Sequence, residues 1–179
     1  MQSTQTDDML APSPRERTRT FAWEDPTRTV AAMLDRSGLE LLRAIRDGEM
    51  PPPPIAQMLG MRIVEVENGR AVFALDPEEW MYNPIGSVRG GIAATILDSC
   101  MGCAVHSVLP PGVGYTTTDL QIRYVRAMGA DTGPVVAEGT VVHAGRRLAT
   151  AEGRLVARST GQLIAHASTG CILLPGSGS

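Results

Sequence analysis

Lysine is absent from this chain, and all 16 of its basic residues are arginine. That excludes lysine Schiff-base chemistry and a phosphate loop built on lysine, so any phosphate contact falls to arginine or to backbone amides. No apolar run approaches the ~18–20 residues of a membrane helix, and no membrane span is expected. The opening residues MQSTQTDDML have neither the basic nor the apolar region of a secretory signal, which makes a cytoplasmic location the expectation. There are only three cysteines, an odd number that fits a reducing compartment better than a disulfide framework. Cys100 and Cys103 form a C-x-x-C, but in mid-helix, away from the helix N-terminus where a thiolate is stabilised. They read as small buried hydrophobes. His106, His143 and His166 are far apart and show no metal-ligand spacing, so no metal site is predicted. The net charge of −3 gives no electrostatic reason to expect nucleic-acid binding.

What is present is enough for one globular domain with extensions: 179 residues, 43% of them hydrophobic. Residues 1–24 are polar, without periodicity, and read as a flexible tail, as do residues 175–179. Residues 25–50 read as a helical extension. Asp25-Pro26 offers a cap and first-turn proline for a short helix through Leu34, and Ser37-Gly38-Leu39-Glu40 has capping-box spacing for a second. That second helix stops near Gly48, before the prolines at 51–54. These helices are expected to pack outside the main domain or over a partner, with a lid role as the alternative. The main domain, 51–174, opens with a turn over 55–60. A strand over 61–67, the hairpin signal Asn68-Gly69 and a returning strand over 71–75 follow.

The stretch Asn83–His106 organises the rest. NPIGSVRGG is a glycine-rich loop leading into a helix that is apolar nearly all round, with Asp98 as its one carboxylate. A buried carboxylate is costly unless it is paired, hydrated or used. Gly90 and Gly91 leave the first amides of the helix uncovered at the positive end of its dipole, where an anion or a developing oxyanion can sit. Gly91, Ala94, Thr95, Asp98 and Gly102 share a face of small residues that a ligand or another chain could approach. Asp98 follows Gly90 by eight positions, roughly 12 Å along the axis, so one helix cannot aim both groups at the same atom, whereas two antiparallel copies could. The bland alternative is a core helix with a hydrogen-bonded aspartate.

After Gly114 the chain becomes strands: 115–125, 134–143, 148–159 and 162–173. Simple alternation places Thr118, Leu120, Ile122 and Tyr124 on one face of the first of these. The strand over 134–143 shows no clean face, as if contacted on both sides. Two strands, one buried helix and four strands suit a curved antiparallel sheet wrapped around the helix, an α+β fold.

NPIGSVRGG followed by GIAATILDS resembles the N-P-x-G-x-x-H-G-G-x(6)-D segment of hotdog-fold acyl-CoA thioesterases of the phenylacetate-pathway (PaaI) type, over roughly Pro54 to Leu174. The resemblance implies a hotdog fold and a homodimer, with a dimer of dimers as the further assembly. Acyl-CoA would be the substrate, and coenzyme A would enter only as part of it, with no separate cofactor. It also implies that Asn83 helps position the thioester, that the Gly90 amide, with Gly91 beside it, polarises the carbonyl, and that Asp98 of the partner attacks the carbonyl or activates water. Thr117, with Thr116 close behind, matches the hydroxyl that orients the water; equally, both suit a strand as β-branched residues. Arg146 and Arg147 match the turn that contacts coenzyme phosphates, and would otherwise be a solvated hairpin tip. One position departs from the pattern: Arg89 replaces the family histidine. It could lower the pKa of Asp98, contact a phosphate, or mark reduced activity. The expected activity is hydrolysis of a small or medium acyl-CoA, aromatic ones included. The alternatives are a non-catalytic acyl-CoA sensor and a hotdog dehydratase.

Overall fold

The computed structural model describes residues 17–174. Most of the proposed N-terminal tail, and all of 175–179, lie outside them. Helix α1 (Thr27–Ala32) is short and exposed. Helix α2 (Gly38–Arg46) starts with the expected capping box: the Ser37 hydroxyl accepts from the Glu40 amide, and the Glu40 carboxylate accepts from the Ser37 amide at 2.9 Å. The expected turn over 55–60 is instead a helix, α3 (Pro54–Leu59), with Pro54 in its first turn and Gly60 left-handed at φ 72°. Helix α2 has already ended at Arg46, with Gly48 left-handed at φ 79°, and the proline run that follows starts the next helix, since proline suits helix initiation.

Strands β1 (Arg62–Glu67) and β2 (Arg70–Leu75) form the hairpin at Asn68-Gly69. After a 3-10 turn over Glu79–Met81 comes α4 (Gly90–His106), then β3 (Gly114–Tyr124), β4 (Val135–Ala144), β5 (Leu148–Ala157) and β6 (Leu163–Leu174). The six strands form one antiparallel sheet in the order β1-β2-β4-β5-β6-β3. Helix α4 lies across its inner face, with Ile96, Leu97, Cys100, Met101, Ala104 and Val105 fully buried. This is the hotdog arrangement. No helix among the described residues is long and apolar enough to cross a membrane.

Three expectations need correction. Helix α2 does not sit outside the domain: it packs on β1 and α4, and Leu41, Leu42 and Ala44 are buried. Gly38 permits this, because a Cβ there would stand 1.8 Å from the His106 carbonyl oxygen. Second, β4 has a clean face after all, with Val135, Ala137 and Gly139 inward and Glu138 and Thr140 exposed; a bulge at Val141/His143 breaks the alternation that blurred it in the sequence. Third, residues 17–24 are not a free tail. Arg17 and Arg19 pair with Glu79 and Glu78, and the Arg19 guanidinium lies 4.3 Å from the centre of the Trp80 ring.

His106 is buried against Tyr115, and desolvation holds its imidazole below the ordinary value of 6.5. The folded state therefore binds a proton less readily than the unfolded chain. The stability this neutral histidine contributes is complete above pH 6.5 and is lost as pH falls through the lower folded pKa. Between pH 7 and pH 5 the urea midpoint of the wild type is expected to drop further than that of His106→Phe; equal drops would show that His106 does not titrate in this window.

Candidate active site

Asp98 sits at the middle of α4 and is half-buried. Its Oδ1 accepts a hydrogen bond from the Thr117 hydroxyl at 2.9 Å. The second carboxylate oxygen has no partner among the described residues. Thr117 reaches it because of a bulge in β3, where the pairing with β6 shifts between Thr117 and Asp119. A bulge inserts one residue and re-aims its neighbours. Tyr115 and Thr117 face α4 before it, and Leu120 and Ile122 pack on the core after it. Thr118 is the extra residue: its hydroxyl donates to the Gly170 carbonyl at 3.0 Å, so it does not share the face of Leu120 as simple alternation implied. Thr116 is exposed and faces away from Asp98.

A cavity of about 440 Å³ opens beside Asp98 and Ser99, lined by apolar side chains from α2, β1, β2 and β3, including Leu42, Ile45, Phe73 and Tyr115. Around the carboxylate the thiols are held in their protonated form. Burial pushes Cys103 up to about 12, against a smaller opposing effect of its bond to Tyr115, and burial raises Cys100 as well. Gly102, expected on an open small-residue face, is covered from within the chain, since a Cβ there would meet the Tyr115 hydroxyl at 2.5 Å.

At the other end of the functional stretch, Asn83 is committed to its own loop. Its Oδ1 accepts from the amides of Ile85 and Ser87, and its Nδ2 donates to the Ser87 hydroxyl. The loop is further pinned by the Val88 amide on the Met128 carbonyl and the Arg89 amide on the Met81 carbonyl. Those bonds use the amides just before the helix, while the amides of Gly90 and Gly91 meet no acceptor among the described residues. Gly91 is open to solvent, and Tyr124 lies over Gly90, its hydroxyl donating to the Gly90 carbonyl at 3.1 Å. Gly90 and Tyr124 line a separate cleft of about 280 Å³ with Val88, Ala93 and Met128. Gly90 and Asp98 thus line different cavities among the described residues, as the helix spacing required. The Arg89 side chain is exposed and makes no ion pair among the described residues. Arg146 and Arg147 are exposed in the β4–β5 turn, away from the cavity beside Asp98. Sequence reasoning missed Tyr115, Tyr124 and the α2 lining; the apolar stripe of α2 was visible, but not where it would dock.

The thioesterase superfamily profile matches residues 85–164. Over that segment the chain is similar to the thioesterase superfamily. Among its relatives, a Halobacterium salinarum protein with a provisional esterase name is 32% identical over 103 residues, which span 55% of this chain and 66% of that one. The chain thus aligns with just under two-thirds of that relative's length. The 1,4-dihydroxy-2-naphthoyl-CoA hydrolase of Listeria monocytogenes is 26% identical over 93 residues, 51% of this chain and 73% of the hydrolase. The PaaI protein of the E. coli phenylacetic acid degradation operon superposes with a TM-score of 0.68 at 20% identity, covering 80% of this chain and 97% of PaaI. At that identity the likeness speaks for the fold.

Proposed function

We propose that this protein is an acyl-CoA thioesterase acting as a homodimer, hydrolysing the thioester to free acid and coenzyme A. The observation that carries the reading is a carboxylate, Asp98, held by the Thr117 hydroxyl with one oxygen free at the wall of an apolar cavity. Such a group can take a proton from water or attack a carbonyl itself. The oxyanion that forms would be met by the Gly90 amide of the other protomer, with Gly91 beside it, and collapse would expel the coenzyme A thiolate. Asn83 supports this step by shaping the loop that presents those amides rather than by touching substrate. The free edge of β3 supports the dimer: it is an 11-residue strand at the sheet edge, and a long edge of that kind calls for cover. A free-thiol assay over an acyl-CoA panel tests the reading, and binding without thiol release would leave the sensor reading in its place. The dehydratase reading needs an imidazole beside the carboxylate, and no histidine lines the cavity with Asp98.

Arg146 and Arg147 are free on the surface to meet coenzyme phosphates, for which arginine is well suited. Arg146→Ala is expected to raise KM for acyl-CoA roughly threefold to tenfold, the size of an exposed charge-assisted contact. KM for an acyl thioester without the nucleotide should stay put. Equal increases for both substrates would remove the phosphate role.

A further inference from the structure

We propose that the acyl group this protein accepts is large, apolar and uncharged at its far end, a medium linear chain or a fused bicyclic ring system, and that Ile45 of α2 sets its upper size. The inference rests on the thioesterase reading for its chemistry but on the cavity for its content. A cavity of about 150 Å³ holds one benzene molecule, and the space beside Asp98 is 440 Å³, roughly three times as much. Acetyl or propionyl groups would leave most of it empty and would leave its apolar lining wet. The polar groups of α4 that enter it, Asp98 and Ser99, belong to the reacting end. Elsewhere the lining is mostly apolar, Leu42, Ile45, Ile63 and Phe73 with rigid Pro52 and Pro53, and the Gln57 amide of α3 is an uncharged polar exception.

The charged groups in the lining argue against a carboxylated or phosphorylated tail. Arg46 is tied through two nitrogens to the Asp47 carboxylate at 2.8 and 2.9 Å, and Arg62 to Asp76 at 3.0 Å. Neither guanidinium is left over to meet an anion on the acyl group. Helix α2 supplies Ile45 and Leu42 on the stripe that its capping box and its Gly38 contact hold against α4. The N-terminal helical segment is therefore a wall of the acyl pocket, and its side chains are the adjustable part.

The test pairs turnover with binding. For the wild type, kcat/KM is expected to rise from acetyl-CoA to octanoyl-CoA by about a hundredfold or more, since each buried methylene is worth roughly fourfold. 2-Naphthoyl-CoA should stand with octanoyl-CoA, and glutaryl-CoA with the poor substrates. Ile45→Trp should cut the octanoyl-to-butanoyl ratio by about tenfold, and Ile45→Ala should raise the dodecanoyl-to-octanoyl ratio, about fourfold for each methylene newly accommodated. Calorimetric binding of the thioethers S-octyl-CoA and S-ethyl-CoA gives the same comparison without turnover. Tight, Ile45-dependent preference for S-octyl-CoA with no thiol release from any ester would uphold the pocket and overturn the thioesterase reading. Turnover with a flat acyl profile, unchanged in both Ile45 variants, would overturn the pocket assignment and leave the thioesterase reading standing.

Discussion

Asp98→Asn is expected to lose about 10²- to 10⁴-fold in kcat on any acyl-CoA the wild type hydrolyses, the range of a positioned general base. The substitution is close to isosteric and keeps an oxygen that can accept from the Thr117 hydroxyl, which now lies 2.9 Å from the carboxylate. Fold and assembly should therefore survive, as measured by unchanged thermal unfolding and light scattering. What is lost is the charge and basicity that deprotonate water or attack the carbonyl. Thr117→Val supplies the graded comparison: it preserves the β-branched shape that suits β3 but removes the only hydroxyl bonded to Asp98 among the described residues. A loss in kcat of about tenfold, with KM nearly constant, would mark Thr117 as a positioning residue, a hydrogen bond to a charged group being worth about 1.5–3 kcal/mol. Full activity in Asp98→Asn would mean that the carboxylate is a packed core aspartate and that chemistry lies elsewhere.

The parts of this site that were legible in the sequence are those encoded within one element. The apolar character of α4, its glycine start and the eight-residue offset of Asp98 from Gly90 are local, and the structure has the helix running Gly90–His106 where the pattern placed it. The capping box of α2 was equally local. What could not be read depends on how elements meet. The β3 bulge is invisible to an alternation rule, because an extra residue is detected only against the partner strand β6; this is why Thr117 was identified by motif matching and Thr118 was put on the wrong face. The docking of α2 depended on Gly38 meeting the His106 backbone across 68 positions of sequence. An amphipathic stripe tells that a helix buries one side but not what it buries it against. Asn83 shows the same limit in reverse: its motif suggested substrate contact, whereas its side-chain hydrogen bonds among the described residues all go to Ile85 and Ser87.

Gly139→Ala is expected to destabilise the fold by about 3 kcal/mol, toward the upper end of what overpacking a core costs, and so to lower Tm by roughly 6–12 °C. Gly139 lies on the inward face of β4 directly beneath α4. A Cβ there would stand 2.6 Å from the Cys100 carbonyl and the Met101 nitrogen, backbone atoms in the middle of a 17-residue helix that cannot shift one at a time. Gly153 is paired with it on β5 and also faces α4, yet the atoms a Cβ would meet there all belong to side chains, the Met101 Cγ at 2.9 Å and Sδ at 3.1 Å and the Leu97 Cδ2 at 3.2 Å. A methionine side chain has three rotatable bonds and can turn aside. Gly153→Ala should accordingly cost about 1 kcal/mol, the lower end of what overpacking a core costs. The two glycines share composition, depth and cross-strand position, so the difference between the variants isolates whether the helix backbone itself rests on the sheet. That close approach sets the height of α4 above the strands, and with it the level at which Asp98 meets Thr117. Gly139→Ala should for this reason lower activity in the folded fraction as well as stability, whereas similar and small Tm shifts for both variants would show that α4 rides on the sheet with room to spare.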